Sequence, residues 1–247
     1  MKRTKPTAPT ILNRDGARTF LSAGGVVKGA KADRNVRAPN PPTITALPPN
    51  RARVPARWRK ELRGVLISED QLAQRVRQLA RQLARDFAGR ELLVVAVLNG
   101  TVLFLADLIR HLSLPLRLDF IGVSSYGPGT AAGELVFTKE LRLDVRGRDV
   151  LLVDDILDTG RTLSRVIPKL RALKPRRIKV CVLLDKPVRR VEDIEVDYVG
   201  FEIPDFFVVG YGLDFAERYR NLPFVGVLHP HVYKQVCKRI VRPGKSR

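Results

Sequence analysis

Short apolar runs alternate with amphipathic stretches along most of this chain. Three runs have the length and composition of buried parallel strands: residues 92–98, 150–153 and 178–184. Three stretches carry apolar residues at intervals of three and four, the spacing of a helix with one buried face: residues 72–87, 102–112 and 163–173. Strands that alternate with helices predict an α/β fold with a mainly parallel, twisted sheet flanked by helices.

Cap and turn residues mark several boundaries of these elements. Ser68-Glu-Asp-Gln71 is a capping-box sequence, so a helix should begin just after Ser68. Apolar and polar residues alternate over 116–120, which predicts a strand with one solvent-facing side. The glycine-rich residues 125–139 have no clear period and predict a long loop or a mobile hairpin. Further short strands are predicted at 196–201, 207–210 and 225–228.

Three carboxylates and a helix start directly follow the apolar run at 150–153. Asp154, Asp155 and Asp158 lead into Thr159-Gly160-Arg161-Thr162, where the amphipathic helix begins. The first amides of a helix have no partner within it, and together they form a site for a phosphate. Neighbouring carboxylates are suited to ribose hydroxyls and Mg²⁺. The stretch therefore predicts a site for a phosphorylated sugar.

Polar groups follow the other predicted strands in the same way. Asn99-Gly100 comes after the first strand, and Asp185-Lys186 comes after the strand at 178–184. Ligands of open α/β sheets bind beyond the carboxyl ends of the strands, so these segments should share one rim with Asp154–Thr162. The chain contains no G-x-x-x-x-G-K-[ST] or G-x-G-x-x-G sequence, which argues against nucleoside triphosphate and dinucleotide binding.

The first 60 residues differ from the rest in composition. They hold 14 Lys and Arg against 2 Asp and Glu, together with 8 of the 17 prolines. Such a segment buries too little apolar surface to offset the entropy of ordering it. We therefore expect a basic, disordered or loosely packed extension over 1–62 and a folded domain over 63–247. The extension is either a solvated segment without a partner or one with weak non-specific attraction to nucleic acid.

No stretch of the chain is apolar and long enough to predict a membrane span, and the first residues lack the apolar centre of a secretory signal. The two cysteines, Cys181 and Cys237, do not form a disulfide framework. These features predict a cytoplasmic protein with no membrane partner.

Residues 65–228 resemble a hypoxanthine-guanine phosphoribosyltransferase. Val153–Leu163 is similar to the diphosphoribose-binding signature of the type I phosphoribosyltransferases. Four further segments are similar to the branch that acts on 6-oxopurines: Val97–Leu108, Ser124–Gly127, Leu184–Lys186 and Tyr198–Asp214. The resemblance implies the type I phosphoribosyltransferase fold, with a small hood over the carboxyl ends of the strands.

The resemblance also implies a reaction in purine salvage. Hypoxanthine or guanine attacks C1 of 5-phosphoribosyl-1-diphosphate, diphosphate leaves, and IMP or GMP forms, with Mg²⁺ as cofactor. Xanthine as the base, or a regulator of this fold that binds RNA, are the alternatives. Relatives form dimers or tetramers, so we expect a homo-oligomer.

Residue roles follow from the resemblance for the sugar and its 5′-phosphate. Asp154 and Asp155 would bind the ribose hydroxyls and Mg²⁺. Asp158 would be the general base near N7 of the purine. Four consecutive residues would hold the 5′-phosphate: Thr159, Gly160, Arg161 and Thr162.

The remaining roles concern the base and the diphosphate. Lys186 would donate to O6 of the base, Phe207 would stack on its ring, and Val208 would contact its edge. Asp214 would complete the Mg²⁺ site. The diphosphate would meet five residues, two of them on a closing loop: Asn99, Gly100, Arg220, Ser125 and Tyr126. Asn99 and Phe206 depart from the family, which often has a basic residue and a polar residue at these positions.

Overall fold

The computed structural model describes residues 44–46, 48–125 and 135–234. The strands are β1 (Ile44–Thr45), β2 (Leu62–Ile67), β3 (Leu92–Leu98), β4 (Leu116–Ser125), β5 (Leu135–Lys139), β6 (Asp149–Leu157), β7 (Arg177–Asp185), β8 (Tyr198–Glu202), β9 (Val208–Val209) and β10 (Val225–Leu228). The helices are α1 (Glu69–Asp86), α2 (Val102–Arg110) and α3 (Arg161–Ala172), with 3-10 turns at Arg51–Arg53, Ala56–Trp58 and Pro187–Arg189.

Seven strands form the main sheet in the order β1-β8-β7-β6-β3-β4-β5. All neighbours in it are parallel except β4 and β5, which pair as an antiparallel hairpin. Strand β6 lies between β3 and β7, so the polar segments after these three strands share one rim, as predicted. The predicted α/β fold is confirmed.

Alternation along the strands places one buried cluster on each face of this sheet. Val94 and Val153 face α1 and α2, whereas Val95 and Leu152 face α3. Successive strand side chains point to opposite faces, so a continuous apolar run serves both clusters at once. The α1 helix begins where the sequence predicted, since Ser68 and Gln71 form both hydrogen bonds of a capping box.

A second, three-stranded sheet forms the hood, in the order β2-β10-β9. Both pairs are antiparallel, and β10 is central. The inner side of the hood joins the cluster of α1 and α2 through Val208, Val225 and Val227. Its outer side has a cluster of its own, which contains Val209 and Leu228. The sequence did not indicate β2, because its hydrogen-bonding partner lies far along the chain.

Several boundaries differ from the predictions, and two of them bear on the site and on the hood. Strand β6 extends through Leu157, whereas the apolar run predicted only 150–153. Residues 48–61, predicted as part of a loose extension, pack on the hood and bury Val54. Residues 1–43 lie outside the described residues, so disorder and nucleic-acid binding there stay predictions. The part of the chain that the structure describes contains no helix able to span a membrane.

Candidate active site

The two adjacent carboxylates lie within β6, not beyond its end as the sequence suggested. Asp154 is in register with Val182 of β7, and the strand continues to Leu157. Asp154 is 5% exposed, and Asp155 is half-buried. The pair therefore lies where β6 has passed its last partner in β3, at Val153, and is still paired with β7.

Both carboxylates contact the loop between β3 and α2. The Thr101 hydroxyl donates to Asp154 Oδ1 over 3.4 Å. Gly100 lies so close to Asp155 that a Cβ atom there would come within 1.8 Å of Asp155 Oδ2, so any other residue would displace the Asp155 carboxylate. The peptide bond between Leu98 and Asn99 is cis.

Burial raises the pKa of both carboxyl groups. For Asp154 the nearby Asp155 carboxylate raises the pKa further, and the total is well above the usual range. For Asp155 burial dominates, although hydrogen bonds and the charge of Arg220 act in the opposite direction. Two crowded carboxylates with raised pKa values favour a cation or several hydroxyl donors beside them.

The turn before α3 forms a cradle of backbone amides. Gly160 has φ of 85° and caps the helix, whose first residue is Arg161. A side chain at Gly160 would contact the backbone oxygen of Glu192 at 2.8 Å. The amides of Val191 and Glu192 donate to Thr159 O, each over 3.0 Å, and fix the turn from behind. The Thr159 hydroxyl lies 3.5 Å from the Arg161 amide. The cradle suits a phosphate.

Asp158 and Lys186 lie next to each other at the ends of neighbouring strands. Lys186 Nζ is 3.6 Å from Asp158 Oδ2 and 2.8 Å from Asp205 Oδ1. It also donates to the Phe206 carbonyl over 3.2 Å, and the residue is only 4% exposed. Arg189 is 3.4 Å from the same Asp158 oxygen. The other oxygen, Asp158 Oδ1, is buried and has no hydrogen-bond partner among the described residues.

Arg190 braces this corner of the site from behind. Its guanidinium donates to the carbonyls of Asp158 and Leu157 and pairs with Asp185. These contacts tie the end of β6 to the end of β7. The backbone that carries Asp158 is thereby fixed relative to Lys186.

A third group of residues lies at the other side of the Asp155 carboxylate. A Cβ atom at Gly212 would come within 2.0 Å of Gly100 O, so the two loops touch through backbone alone. Arg220 donates to Gly212 O over 2.9 Å and pairs with Asp214 over 3.0 Å. The hood thus brings Asp214 and Arg220 to the Asn99-Gly100 loop.

The predicted base-stacking residue lies on the hood beside Tyr233. The Phe207 ring is stacked on Tyr233 at 4.8 Å and meets Phe215 edge-on at 5.3 Å, yet it remains 37% exposed. Val208 is buried in β9. Phe206 packs against the main core, with the Arg63 guanidinium 5.6 Å above its ring.

Two predicted residues of the closing loop cannot be placed in full. Tyr126 lies outside the described residues, and only the backbone of Ser125 is described, paired with Leu135. Residues that the sequence did not single out also line the site: Thr101, Arg189, Arg190, Asp205 and Gly212. Asp205 lies within Tyr198–Asp214, one of the segments that resemble the family, whereas nothing in the local sequence pattern distinguishes Arg189 or Arg190.

The arrangement of carboxylates is compatible with Mg²⁺ held jointly with a substrate. Among the described residues no three His, Cys, Asp or Glu side chains converge into a complete metal site. Magnesium ions are commonly held by one or two carboxylates together with phosphate oxygens of the substrate. Asp154 and Asp155 fit that pattern, because they place two carboxylate groups, the ligands that Mg²⁺ prefers, side by side.

Comparisons with known proteins identify the family that the chain resembles. Residues 67–216 match the phosphoribosyl transferase domain family. The hypoxanthine-guanine phosphoribosyltransferase of Bacillus subtilis is 48% identical over 175 residues, which are 70% of this chain and 97% of that protein. The bifunctional protein TilS/HprT of Listeria monocytogenes is 49% identical over 176 residues; the match covers 71% of this chain but only 27% of that longer protein.

The chain is also similar to a solved structure. The crystal structure of a hypoxanthine phosphoribosyltransferase from Staphylococcus aureus is 43% identical and superposes with a TM-score of 0.69. The match covers 72% of this chain and 97% of that one.

Proposed function

The chain belongs to the phosphoribosyl transferase domain family, in the group of the hypoxanthine-guanine phosphoribosyltransferases, and from this we propose that it performs purine salvage. A 6-oxopurine base and 5-phosphoribosyl-1-diphosphate react to give a nucleoside 5′-monophosphate and diphosphate. Hypoxanthine and guanine are the proposed bases, with IMP and GMP as products.

One observation carries this proposal: an unpaired acceptor lies beside a buried donor. Asp158 Oδ1 is buried and has no hydrogen-bond partner in the described part of the chain, and Lys186 lies 3.6 Å from the other oxygen of the same carboxylate. A 6-oxopurine protonated at N7 presents an acceptor, O6, and a donor, N7–H, on one edge. Adenine has an amino donor at position 6, which would face the Lys186 ammonium. The pair therefore favours oxopurines.

The proposed chemistry uses Asp158 as the general base. The purine nitrogen N9 attacks C1 of the ribose, the bond from C1 to the diphosphate oxygen breaks, and Asp158 accepts the proton from N7. Lys186 donates to O6 and draws electron density from the ring as positive charge develops on it. The buried Asp158 Oδ1 has no other donor among the described residues to compete with N7–H.

The other parts of the site would hold the sugar and the leaving group. The amides of 159–162 would bind the 5′-phosphate, and Asp154 and Asp155 the ribose hydroxyls and Mg²⁺. Mg²⁺, when bound, would neutralise charge on the diphosphate. Asn99-Gly100, Asp214 and Arg220 would meet the diphosphate and its ion, with Ser125 and Tyr126 on a closing loop. Phe207 and Val208 would hold the base.

The proposal is tested by assaying the purified chain against hypoxanthine, guanine, xanthine and adenine, with 5-phosphoribosyl-1-diphosphate, with and without Mg²⁺. We expect Mg²⁺-dependent nucleotide formation from hypoxanthine and guanine and none from adenine. Turnover of xanthine alone would show that xanthine, and not hypoxanthine or guanine, is the substrate. Failure with all four bases would refute the proposed activity. Lys186→Gln is the matched variant, since it should reduce the preference for oxopurines over adenine.

A homo-oligomer, dimer or tetramer, is proposed as well. An apolar groove next to the Asn99-Gly100 loop is lined by residues of α2 and β4, including Ala106, Ile109 and Phe120. Val102 and Leu103 are large, exposed hydrophobics at its side. Apolar surface of this kind supports self-association. The mass in solution tests it. A cytoplasmic location stays a prediction.

A further inference from the structure

A segment that precedes the family match, residues 48–61, runs along the hood; we refer to it as the strap. Asn50 pairs with Val65 of β2 through two backbone hydrogen bonds of 2.8 and 3.0 Å. Pro49 lies so close to Gly64 that a Cβ atom there would be 2.7 Å from it. The strap also supplies the fully buried Val54 to the outer cluster of the hood. These contacts make it an integral part of the hood.

The strap is anchored at a second place through the residues before it. β1 pairs with β8 at the edge of the main sheet, and the Ala46 amide donates to Glu202 O over 3.0 Å. The chain thus passes from the edge of the main sheet to the hood. The family match begins at residue 67, so this connection lies outside the part shared with the matched domain.

The loop Asp214–Arg220 has a backbone conformation that needs external support. Three of its non-glycine residues have positive φ: Ala216 at 51°, Glu217 at 59° and Tyr219 at 77°. Side chains disfavour this left-handed region, and a bulky residue such as tyrosine disfavours it most. Such conformations persist where the surroundings over-determine them. The two ends of this loop carry Asp214 and Arg220, the residues proposed for the metal and the diphosphate.

Two strap residues provide that support at Tyr219. The Trp58 ring meets the Tyr219 ring edge-to-face, with centroids 5.6 Å apart. Burial, and then the nearby Glu61 carboxylate, raise the pKa of the Tyr219 phenol. Glu61 also pairs with Arg218 over 3.5 Å, and its carbonyl accepts from the His229 amide over 2.8 Å. Tyr219 is therefore buried between the strap and the hood.

We propose that the strap positions the diphosphate loop: Trp58 holds Tyr219 in its left-handed conformation and so sets the place of Arg220 next to it. Trp58 is a positioning residue in this scheme, since it touches neither substrate nor reacting atoms. This inference rests on the proposed function, because Arg220 meets a diphosphate only in that reaction.

The test compares Trp58→Ala with Trp58→Phe and the unaltered full-length chain. For Trp58→Ala we expect the KM for 5-phosphoribosyl-1-diphosphate, and the Kd for diphosphate with Mg²⁺ measured by calorimetry, to rise about 3- to 10-fold. kcat should stay within about twofold, because binding of the ground and transition states is weakened alike. Trp58→Phe keeps an aromatic edge and should restore both constants to within about twofold.

A second variant separates positioning from loss of stability. Val76→Ala removes buried methyl groups from α1, outside the strap and the Asp214–Arg220 loop, and should lower Tm without changing either constant. Unchanged constants in Trp58→Ala, or an equal rise in Val76→Ala, would overturn the inference while leaving the proposed function standing. A wild-type chain that binds diphosphate but forms no nucleotide would refute the proposed function, and the calorimetric comparison would still decide the role of Trp58.

Discussion

The two ends of strand β6 each bury an aspartate, and the two are treated in opposite ways. Asp149, at the first residue, is fully buried, and three arginines surround it: Arg90, Arg176 and Arg177, the last two with Nε atoms 2.8 and 3.0 Å from its Oδ1. Asp154, near the other end, has Thr101 as its side-chain partner and Asp155 as its neighbour. One strand thus carries a neutralised charge and an uncompensated charge.

The pKa values express the same difference. Burial alone would raise the pKa of Asp149, but the hydrogen bond and charge of Arg176 and the charges of Arg177 and Arg90 leave it below its usual range. Burial and the Asp155 carboxylate raise the pKa of Asp154 well above its usual range. The first arrangement stabilises the fold. The second stores an electrostatic cost that a bound cation would relieve, which is typical of functional sites.

The largest expected effect is a loss of turnover when Asp158, the residue just after β6, is replaced. Asp158→Ala should lower kcat by about 10²- to 10⁴-fold, because it removes the proposed general base. Tm should change little, since Lys186 keeps its 2.8 Å ion pair with Asp205 and the Arg189 side chain is half exposed to water. Steady-state kinetics at a saturating concentration of the purine substrate measure kcat, and thermal unfolding measures Tm.

Asp205→Ala is the matched control for that variant. It removes the other carboxylate paired with Lys186, but not the buried, unpartnered oxygen. Its effect on kcat should be far smaller. Equal losses in the two variants would mean that pairing with Lys186, not proton transfer, is the role of Asp158.

Replacement of Asp149, the first residue of β6, should change stability and leave turnover unchanged. Asp149→Asn leaves three arginines without their buried counter-charge, and we expect a loss of about 3 kcal/mol in the free energy of unfolding. This is the lower end for broken buried pairs, because the arginine side chains are partly exposed. Denaturant titration measures the loss. The kcat of the folded fraction should be unchanged, and a large fall in kcat would contradict this division of roles.

Asp154→Asn should act in the opposite sense and by a smaller amount. Without Mg²⁺ at pH 8 it removes a poorly compensated buried charge, so the free energy of unfolding should rise, by on the order of 1 kcal/mol. The affinity for 5-phosphoribosyl-1-diphosphate with Mg²⁺ should fall at the same time. A variant destabilised as strongly as Asp149→Asn would show that the two ends of β6 do not differ as described.

The smallest effect is the pH dependence of stability in metal-free buffer. The folded pKa of Asp149 is lowered, so its contribution is present above about pH 4 and is lost as pH falls below that value. The folded pKa of Asp154 is raised, so its contribution is present below about pH 4 and is lost as pH rises towards the folded pKa. The free energy of unfolding should be measured across pH. In Asp149→Asn the fall in stability below about pH 4 should be smaller, and in Asp154→Asn the fall in stability above about pH 4 should be smaller.

An absence of any difference between wild type and Asp154→Asn above pH 4 would contradict the raised pKa of Asp154. Added Mg²⁺ with diphosphate provides a further comparison. It should stabilise the wild type more than Asp154→Asn, because ligands raise stability in proportion to their affinity for the folded state.

Local sequence determined much of this protein. The apolar run at Leu92–Leu98 is β3 to the residue, and the capping box begins α1 at the residue expected. The order of strands and helices placed Asn99-Gly100, Asp154–Thr162 and Lys186 at one rim, because parallel strands all point their carboxyl ends to the same edge. These features depend on spacing within a few residues, or on a rule that holds for the whole fold class.

Only the tertiary structure decided which charges are compensated and which are not. Asp149 and Asp154 flank the same apolar run, yet the arginines that neutralise Asp149 come from separate segments, at Arg90 and at Arg176-Arg177. The β2–β10 pairing and the Trp58–Tyr219 contact likewise join positions more than 150 residues apart. Local periodicity carries no record of such contacts, since they form only when the packed sheet and hood bring distant segments within a few ångströms.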